Sequence, residues 1–271
     1  MKIYHYTTIE TLEHILKEKT LKFNSLKNVD DSLEAISNDS GDLSNNFFVS
    51  CWTKQKKENI SLWNMFTNGV QEVRIGIDEE KIPFHPLFTL YNESSYLITN
   101  IKDLDNSEKY MVWTESENRI KDTRLLAVKY INPKEKNFVT RDEHNFSVLN
   151  FDNLFCIKRR IWSPQKEVRF VIFGAKTDIK SFVGIFEEIS KTRKINLGYE
   201  NGDVWKKDFF LLDISMMDFN GMEIMLGPKT SDEDKTFCIS LIERYCPNYK
   251  ITIKDSELKG KIRWKDNSTK I

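Results

Sequence analysis

Gln165, Glu167 and Arg169 stand two residues apart and offer an amide, a carboxylate and a guanidinium. The run from Val168 to Ile172 alternates as a strand does, with Glu167, Arg169 and Val171 on one face and Val168, Phe170 and Ile172 on the other. Pro164 cannot donate to a sheet, so the strand is expected to begin after a turn at Ser163-Pro164. Glu167 then falls at the strand's first residue, beside a loop, where a carboxylate can meet a ligand while the strand keeps it rigid. So placed, it can stabilise positive charge that develops on a bound molecule. His5 with Thr7, Ser50 and the helix around Trp63 are further candidates, all at predicted strand ends. A split sheet would bring them into one cleft with Glu167.

Several common chemistries lack their signatures. There is no G-x-G-x-x-G, no Walker lysine loop and no G-x-S-x-G elbow. The four histidines, His5, His14, His85 and His144, lack H-E-x-x-H spacing, so no metal is expected. Cys51, Cys156, Cys238 and Cys246 are dispersed among apolar neighbours without C-x-x-C spacing, which suits buried free thiols. The 41 basic and 41 acidic residues cancel, so any pull toward nucleic acid must be local. No stretch of about 18 apolar residues occurs and the chain enters a strand-like run directly, so a soluble, cytoplasmic protein with no membrane partner is expected.

The elements that must position these groups follow from periodicity and caps. Ile3-Tyr4-His5-Tyr6 predicts a first strand; Thr7 or Thr8 caps a helix striped by Ile9, Leu12, Ile15 and Leu16 that ends near Lys19, and Leu21-Lys22-Phe23 forms a second strand. Asp31 and Glu34 have capping-box spacing, so a short helix is expected to start there. Residues 46–52 read as a buried strand, and Asn59 caps a helix carrying Leu62, Trp63 and Phe66 that Asn68-Gly69 closes. Further strands are expected at 72–78, 125–131, 208–215, 222–226 and 249–253, and helices at 151–158, 181–189 and after Ser231 or Asp232. Residues 79–122 read as an insertion with weak strands near 87–91 and 95–98, and a polar tail follows Trp264. With no repeat and no clean linker, residues 1–271 are expected to form a single α+β domain.

The order of motifs resembles a widespread, largely uncharacterised bacterial family. Its marks are a Tyr-His-x-Thr start, an Asn-Asp-Pro-Phe-Glu-like segment, a Ser-Phe/Cys-Ser strand, a Met-Trp-x-x-Tyr helix, a Glu-x-Glu-x-Arg strand and a late Ile-x-Leu-Gly. Here they correspond to Tyr4-His5-Tyr6-Thr7, Asp30-Asp31-Ser32-Leu33-Glu34, Val49-Ser50-Cys51-Trp52, Leu62-Trp63-Asn64-Met65-Phe66, Gln165-Lys166-Glu167-Val168-Arg169 and Ile224-Met225-Leu226-Gly227. That family is in turn similar to the ADP-ribosyltransferase fold, especially the DNA-targeting toxins.

The resemblance implies an ADP-ribosyltransferase-like split β-sheet core flanked by helices, with NAD as substrate. It implies His5 at the ribose, with Tyr6 beside it, Thr7 or Ser50 lining the pocket, and Trp63 or Phe66 near the nicotinamide ring. Glu167 is then the catalytic carboxylate, Gln165 faces the acceptor, and Arg169 or Arg74 pairs with the pyrophosphate. The expected activity is transfer of ADP-ribose to a macromolecule, nucleic acid or protein, in a bacterial toxin or anti-phage effector. NAD hydrolysis is the close variant, and a non-enzymatic nucleotide-binding module the alternative. Phe66 lacks the family's tyrosine hydroxyl, Gln165 replaces its Glu, and Ser32 replaces its proline. Other roles suit the same residues: a core histidine at His5, core aromatics at Trp63 and Phe66, a surface ion pair of Glu167 with Arg169, and a solvated face at Lys158-Arg159-Arg160.

Overall fold

The structure, a computed structural model, describes residues 1–38, 41–83, 101–102, 111–113, 125–131, 139–141, 147–149, 155–175 and 207–262. The described elements begin with β1 (Lys2–Thr7), α1 (Ile9–Glu18), β2 (Thr20–Ser25), β3 (Ile36–Ser37), β4 (Gly41–Asp42), β5 (Phe47–Thr53), α2 (Ile60–Phe66) and β6 (Val73–Asp78). Short strands follow: β7 (Met111–Trp113), β8 (Leu126–Ala127), β9 (Lys129–Ile131), β10 (Val139–Arg141), β11 (Ser147–Leu149) and β12 (Ile157–Arg159). The chain continues through β13 (Glu167–Ala175), β14 (Phe209–Asp213), β15 (Glu223–Leu226), α3 (Asp232–Tyr245) and β16 (Thr252–Lys254). The fold is α+β, with mostly antiparallel strands and few helices. It divides into two compact units interleaved in sequence: residues 1–20, 52–82 and 215–271 form the first, and residues 21–51 and 83–214 the second.

In the first unit β1 lies between β6 and the end of β5, with Tyr6 opposite Arg74 and Tyr4 opposite Thr53. β15 pairs antiparallel with β6 and parallel with β16. Thr8 caps α1 by accepting from the Thr11 N–H, and Lys19 ends that helix at φ 54°. Leu12, Ile15 and Leu16 are its buried stripe, as the sequence spacing predicts. Asn59 caps α2 through the Ser61 N–H. Ser231 and Asp234 cap α3 reciprocally, which settles the choice between Ser231 and Asp232. The late Leu-Gly pair has a packing reason: a Cβ on Gly227 would stand 2.3 Å from the Val70 carbonyl oxygen. Only glycine lets this turn approach so closely, and its N–H donates to the Glu72 carbonyl at 2.7 Å.

In the second unit the strand order is β14, β2, β5 and β13, with β7 and β8 both on the far edge of β13. β9 and β12 form a parallel pair, and β3 with β4 and β10 with β11 form small antiparallel pairs. β13 begins at Glu167, as expected, and the preceding turn is a 3₁₀ segment, Arg160–Gln165, closed by Lys166 at φ 46°. Phe47 and Phe155 pack 5.1 Å apart, and Phe48 and Phe210 4.5 Å apart, so this core is built around aromatic rings.

Four expectations about elements are corrected. Asp31 and Glu34 start no helix: Asp31 bonds the Leu33 N–H, the chain turns, and Ala35 takes φ 55° before β3. Of the helix expected at 151–158, residues 157–158 instead open β12, paired with β9, and 151–154 lie outside the described residues. The strand expected at 125–131 divides at Val128, where the backbone changes partner: the Val128 N–H donates to Glu167 O and the Lys129 N–H to Cys156 O. The helix carrying Trp63 stops at Phe66, before Asn68-Gly69, because Thr67 turns extended and its hydroxyl bonds the Trp63 carbonyl. The strands expected near 87–91 and 95–98, the helix at 181–189 and the tail after Trp264 lie outside the described residues.

Candidate functional site

The residues singled out from the sequence gather in two clusters, one within each unit. In the second unit Glu167 is buried, 6% exposed, and both of its oxygens are engaged. Oε1 accepts from Arg169 Nε at 2.7 Å and Oε2 from Lys158 Nζ at 2.7 Å. Arg169, fully buried, also binds Glu34 and the Phe155 carbonyl. Lys158 donates to Gln165 Oε1 at 2.8 Å and stands 3.3 Å from Glu34 Oε1, an ion-pair distance without hydrogen-bond alignment. Gln165 in turn donates to Asp30 at 3.0 Å, and Asp31 takes both the backbone N–H and the Nε of Arg159 at 2.8 Å. Two carboxylates and two cations thus balance inside the unit, with Gln165 as the link to exposed Asp30.

The local sequence explains how this forms. Two-residue spacing on β13 places Glu167 and Arg169 on one face. The parallel pairing of β12 with β9 sets Lys158 opposite Tyr130, whose hydroxyl accepts the Glu167 N–H at 2.8 Å. The tight turn from Asp30 to Ala35 brings three acids to the same cluster. The alternative role of Glu167 and Arg169 as a surface ion pair is corrected on one point, because the pair is buried. Lys158 is buried too, which corrects the solvated face expected for Lys158-Arg159-Arg160 at its first residue; Arg159 is part-exposed and Arg160 exposed.

Charge sets the titration of these groups. Burial pushes the Glu167 carboxyl up, but Arg169 and Lys158 together outweigh it and hold its pKa below the ordinary value. Burial pulls Lys158 down, and the carboxylates of Glu167 and Glu34 overcome this to leave it raised. Burial lifts the Tyr130 phenol to about 12. The thiol of half-buried Cys51, beside Glu167, is pushed well above its ordinary value, first by burial and then by the carboxylate charge. It is therefore no thiolate nucleophile near neutral pH.

The lowered Glu167 pKa has a signed consequence. The unfolded chain takes up this proton at higher pH than the folded one, so the carboxylate contributes stability that is present above its unfolded value and lost as pH falls through the folded one. Urea denaturation of the native chain and of Glu167→Gln, compared between about pH 6 and pH 3, should show the steeper loss in the native chain. Parallel profiles would remove the ion-paired carboxylate as a source of stability.

In the first unit Tyr6 and Trp63 meet edge to face with centroids 4.8 Å apart. Trp63 is fully buried with Leu62, Val70 and Met225, and its Nε1 donates to Glu58 Oε2 at 2.9 Å. Glu58 also accepts from the Ser256 hydroxyl and the Glu257 N–H, and Leu258 packs on the same cluster. The segment around Ser256 thus covers the tryptophan. His5 alternates with Tyr6 along β1, so it projects to the opposite face of this sheet, half-buried, with its ring 5.1 Å from that of Trp52. The structure therefore joins Tyr6 with Trp63, and Gln165 with Glu167 and Arg169, but does not place His5 with Trp63. Thr7 and Ser50 are buried, while Phe66, at 38% exposure, is the ring of α2 open to solvent.

Sequence reasoning missed Lys158, Tyr130 and Cys51 as partners of Glu167, and Asp30, Asp31 and Glu34 as partners of Gln165, Arg159 and Arg169. Among the described residues no helix is long and apolar enough to cross a membrane and no His/Cys/Asp/Glu group could hold a metal. Compared with protein-family models, curated proteins and solved structures, the chain gives no match in any of the three.

Proposed function

We propose that this chain is a NAD-dependent ADP-ribosyltransferase, with Glu167 as the carboxylate that acts on the ribose and Gln165 directed to the acceptor. The observation that carries the reading is the ionised Glu167 at the first position of β13, held by two cations, with Gln165 two residues earlier fixed by Lys158 and Asp30. In the reaction the bond from the ribose C1′ to the nicotinamide nitrogen breaks, and the electron pair leaves on nicotinamide. C1′ then bonds to a nucleophile of the acceptor, which loses its proton. Between these events the ribose carries positive charge that a fixed carboxylate stabilises. Contact with the ribose requires one oxygen of Glu167 to exchange Lys158 for a ribose hydroxyl. With water as acceptor the products are nicotinamide, ADP-ribose and a proton.

A second reading, a nucleotide-binding module without turnover, is favoured by one specific observation: both Glu167 oxygens are already engaged and nearly sealed from solvent. Purified protein incubated with NAD, with and without cell extract as acceptor, separates the two. Nicotinamide release that falls by about 100-fold or more in folded Glu167→Gln supports the transferase, and labelled ADP-ribose shows whether the acceptor is nucleic acid, protein or water. Turnover unchanged by this substitution rejects Glu167 as the catalytic group. Saturable nucleotide binding with no nicotinamide release assigns the second reading.

A further inference from the structure

The first unit holds a buried arginine with no anion. Arg74, on β6 between β1 and β15, is 2% exposed. Its NH1 donates to the Lys56 carbonyl at 3.1 Å and, at 3.4 Å, to the Tyr6 hydroxyl. Its guanidinium carbon lies 4.5 Å from the Tyr4 ring centroid and 5.6 Å from that of Tyr6, and Nε is buried with no hydrogen-bond partner. Among the described residues no carboxylate stands within ion-pair distance of it. Glu223, two residues before Met225, which pairs with Arg74, is committed to Lys2 and Lys254. The contrast with Arg169, equally buried but neutralised by Glu34 and Glu167, is direct.

A guanidinium stays charged inside a protein, and aromatic faces and a carbonyl oxygen offset its burial less well than an anion does. The group that covers it is informative. Lys56 belongs to the loop Lys54-Gln55-Lys56-Lys57-Glu58, whose three lysines are exposed and have no carboxylate partner among the described residues. Glu58, the one acid of this loop, is taken by Trp63, Ser256 and the Glu257 N–H. Cationic charge is thus in excess both beneath this loop and on it.

We propose that Arg74 is the floor of a binding site for a phosphoryl anion, with the Lys56 carbonyl occupying the anion's place until the loop moves aside and the lysines forming its rim. Once that carbonyl leaves, the end of the guanidinium that it holds, with NH1 as one prong, suits two oxygens of one phosphoryl group, and several lysines at the rim suit a polyvalent phosphoryl anion better than a lone carboxylate. The anion site stands on the first unit alone; that it takes the diphosphate of a dinucleotide through Arg74, and not through Arg169, rests on the NAD reading above.

The test is titration of the full chain with inorganic phosphate, pyrophosphate and, as carboxylate control, acetate, at constant ionic strength, followed by calorimetry and thermal shift. Saturable pyrophosphate binding is expected, weakened more than tenfold in Arg74→Gln and several-fold in Lys54→Gln/Lys57→Gln. The double variant alters only exposed side chains and keeps the test open should Arg74→Gln fail to fold. Preference for pyrophosphate over phosphate marks a diphosphate-bearing ligand, and equal affinity marks free phosphate; both support the site. No saturable binding, binding unchanged in the rim variant, or equal response to acetate overturns it. Pyrophosphate binding without nicotinamide release defeats the transferase reading alone, and Glu167-dependent NAD turnover without pyrophosphate binding defeats this inference alone.

Discussion

Arg169→Met should lower the folding stability by about 3–5 kcal/mol, because it removes one partner from a buried, charge-balanced network. The side chain it replaces is fully enclosed and binds Glu34, Glu167 and the Phe155 carbonyl. In the variant two buried carboxylates share Lys158 alone, 3.3 Å from Glu34 and 2.7 Å from Glu167. One of them then gains a proton more readily than in the unfolded chain, since like charges disfavour double ionisation. A group whose folded pKa is raised binds protons preferentially in the folded state, so the variant's deficit should shrink as pH falls from neutrality toward about pH 5. Removing Glu34 as well, in Arg169→Met/Glu34→Met, restores the balance of one cation and one anion and should recover part of the loss. Urea denaturation of both singles and the double closes the thermodynamic cycle. A loss under about 1 kcal/mol, typical of a surface pair, would show that the cluster is not a structural clamp.

What the sequence discloses follows from the range of the information it carries. Alternation finds β1, β6 and β13, short apolar runs find β5 and β15, and the oxygens of Thr8, Asn59 and Ser231 mark real helix starts, because each depends on neighbours a few residues away. Asp31 and Glu34 show the limit. The spacing that suits a capping box also suits a tight turn presenting carboxylates to distant cations, and their partners, Arg159 and Arg169, lie 128 and 135 residues away. Lys158 fails in the same way: a run of three cations reads as a wet surface until β12 pairs with β9 and the acids arrive. Burial of charge is decided by those remote partners. For the site, therefore, the types and spacing of Gln165, Glu167 and Arg169 were legible, whereas the saturation of Glu167 by Lys158 was not. Alternation alone does separate His5 from Tyr6, but only the packing of Trp63 on Tyr6 shows that the separation also divides His5 from α2.

Trp63→Ala should likewise cost about 3–5 kcal/mol, the range for emptying a large aromatic site in a core. The indole is fully buried, meets Tyr6 edge on at 4.8 Å, and donates to Glu58. Trp63→Phe keeps most of the packing and leaves Glu58 its bonds from Ser256 and Glu257, so about 1–3 kcal/mol is expected, the scale of one lost hydrogen bond to a charged group. This ordering bears on function, because lost NAD turnover in an unfolded Trp63→Ala says nothing of ring stacking. Phe66 is the informative position: exposed at the end of the same helix, it can be replaced by Ala at a cost within about 0.5 kcal/mol. A raised KM for NAD in Phe66→Ala, with Tm unchanged, would assign the ring contact to Phe66. An unchanged KM there, together with a raised KM in folded Trp63→Phe, would require the segment around Ser256 to lift and expose the indole.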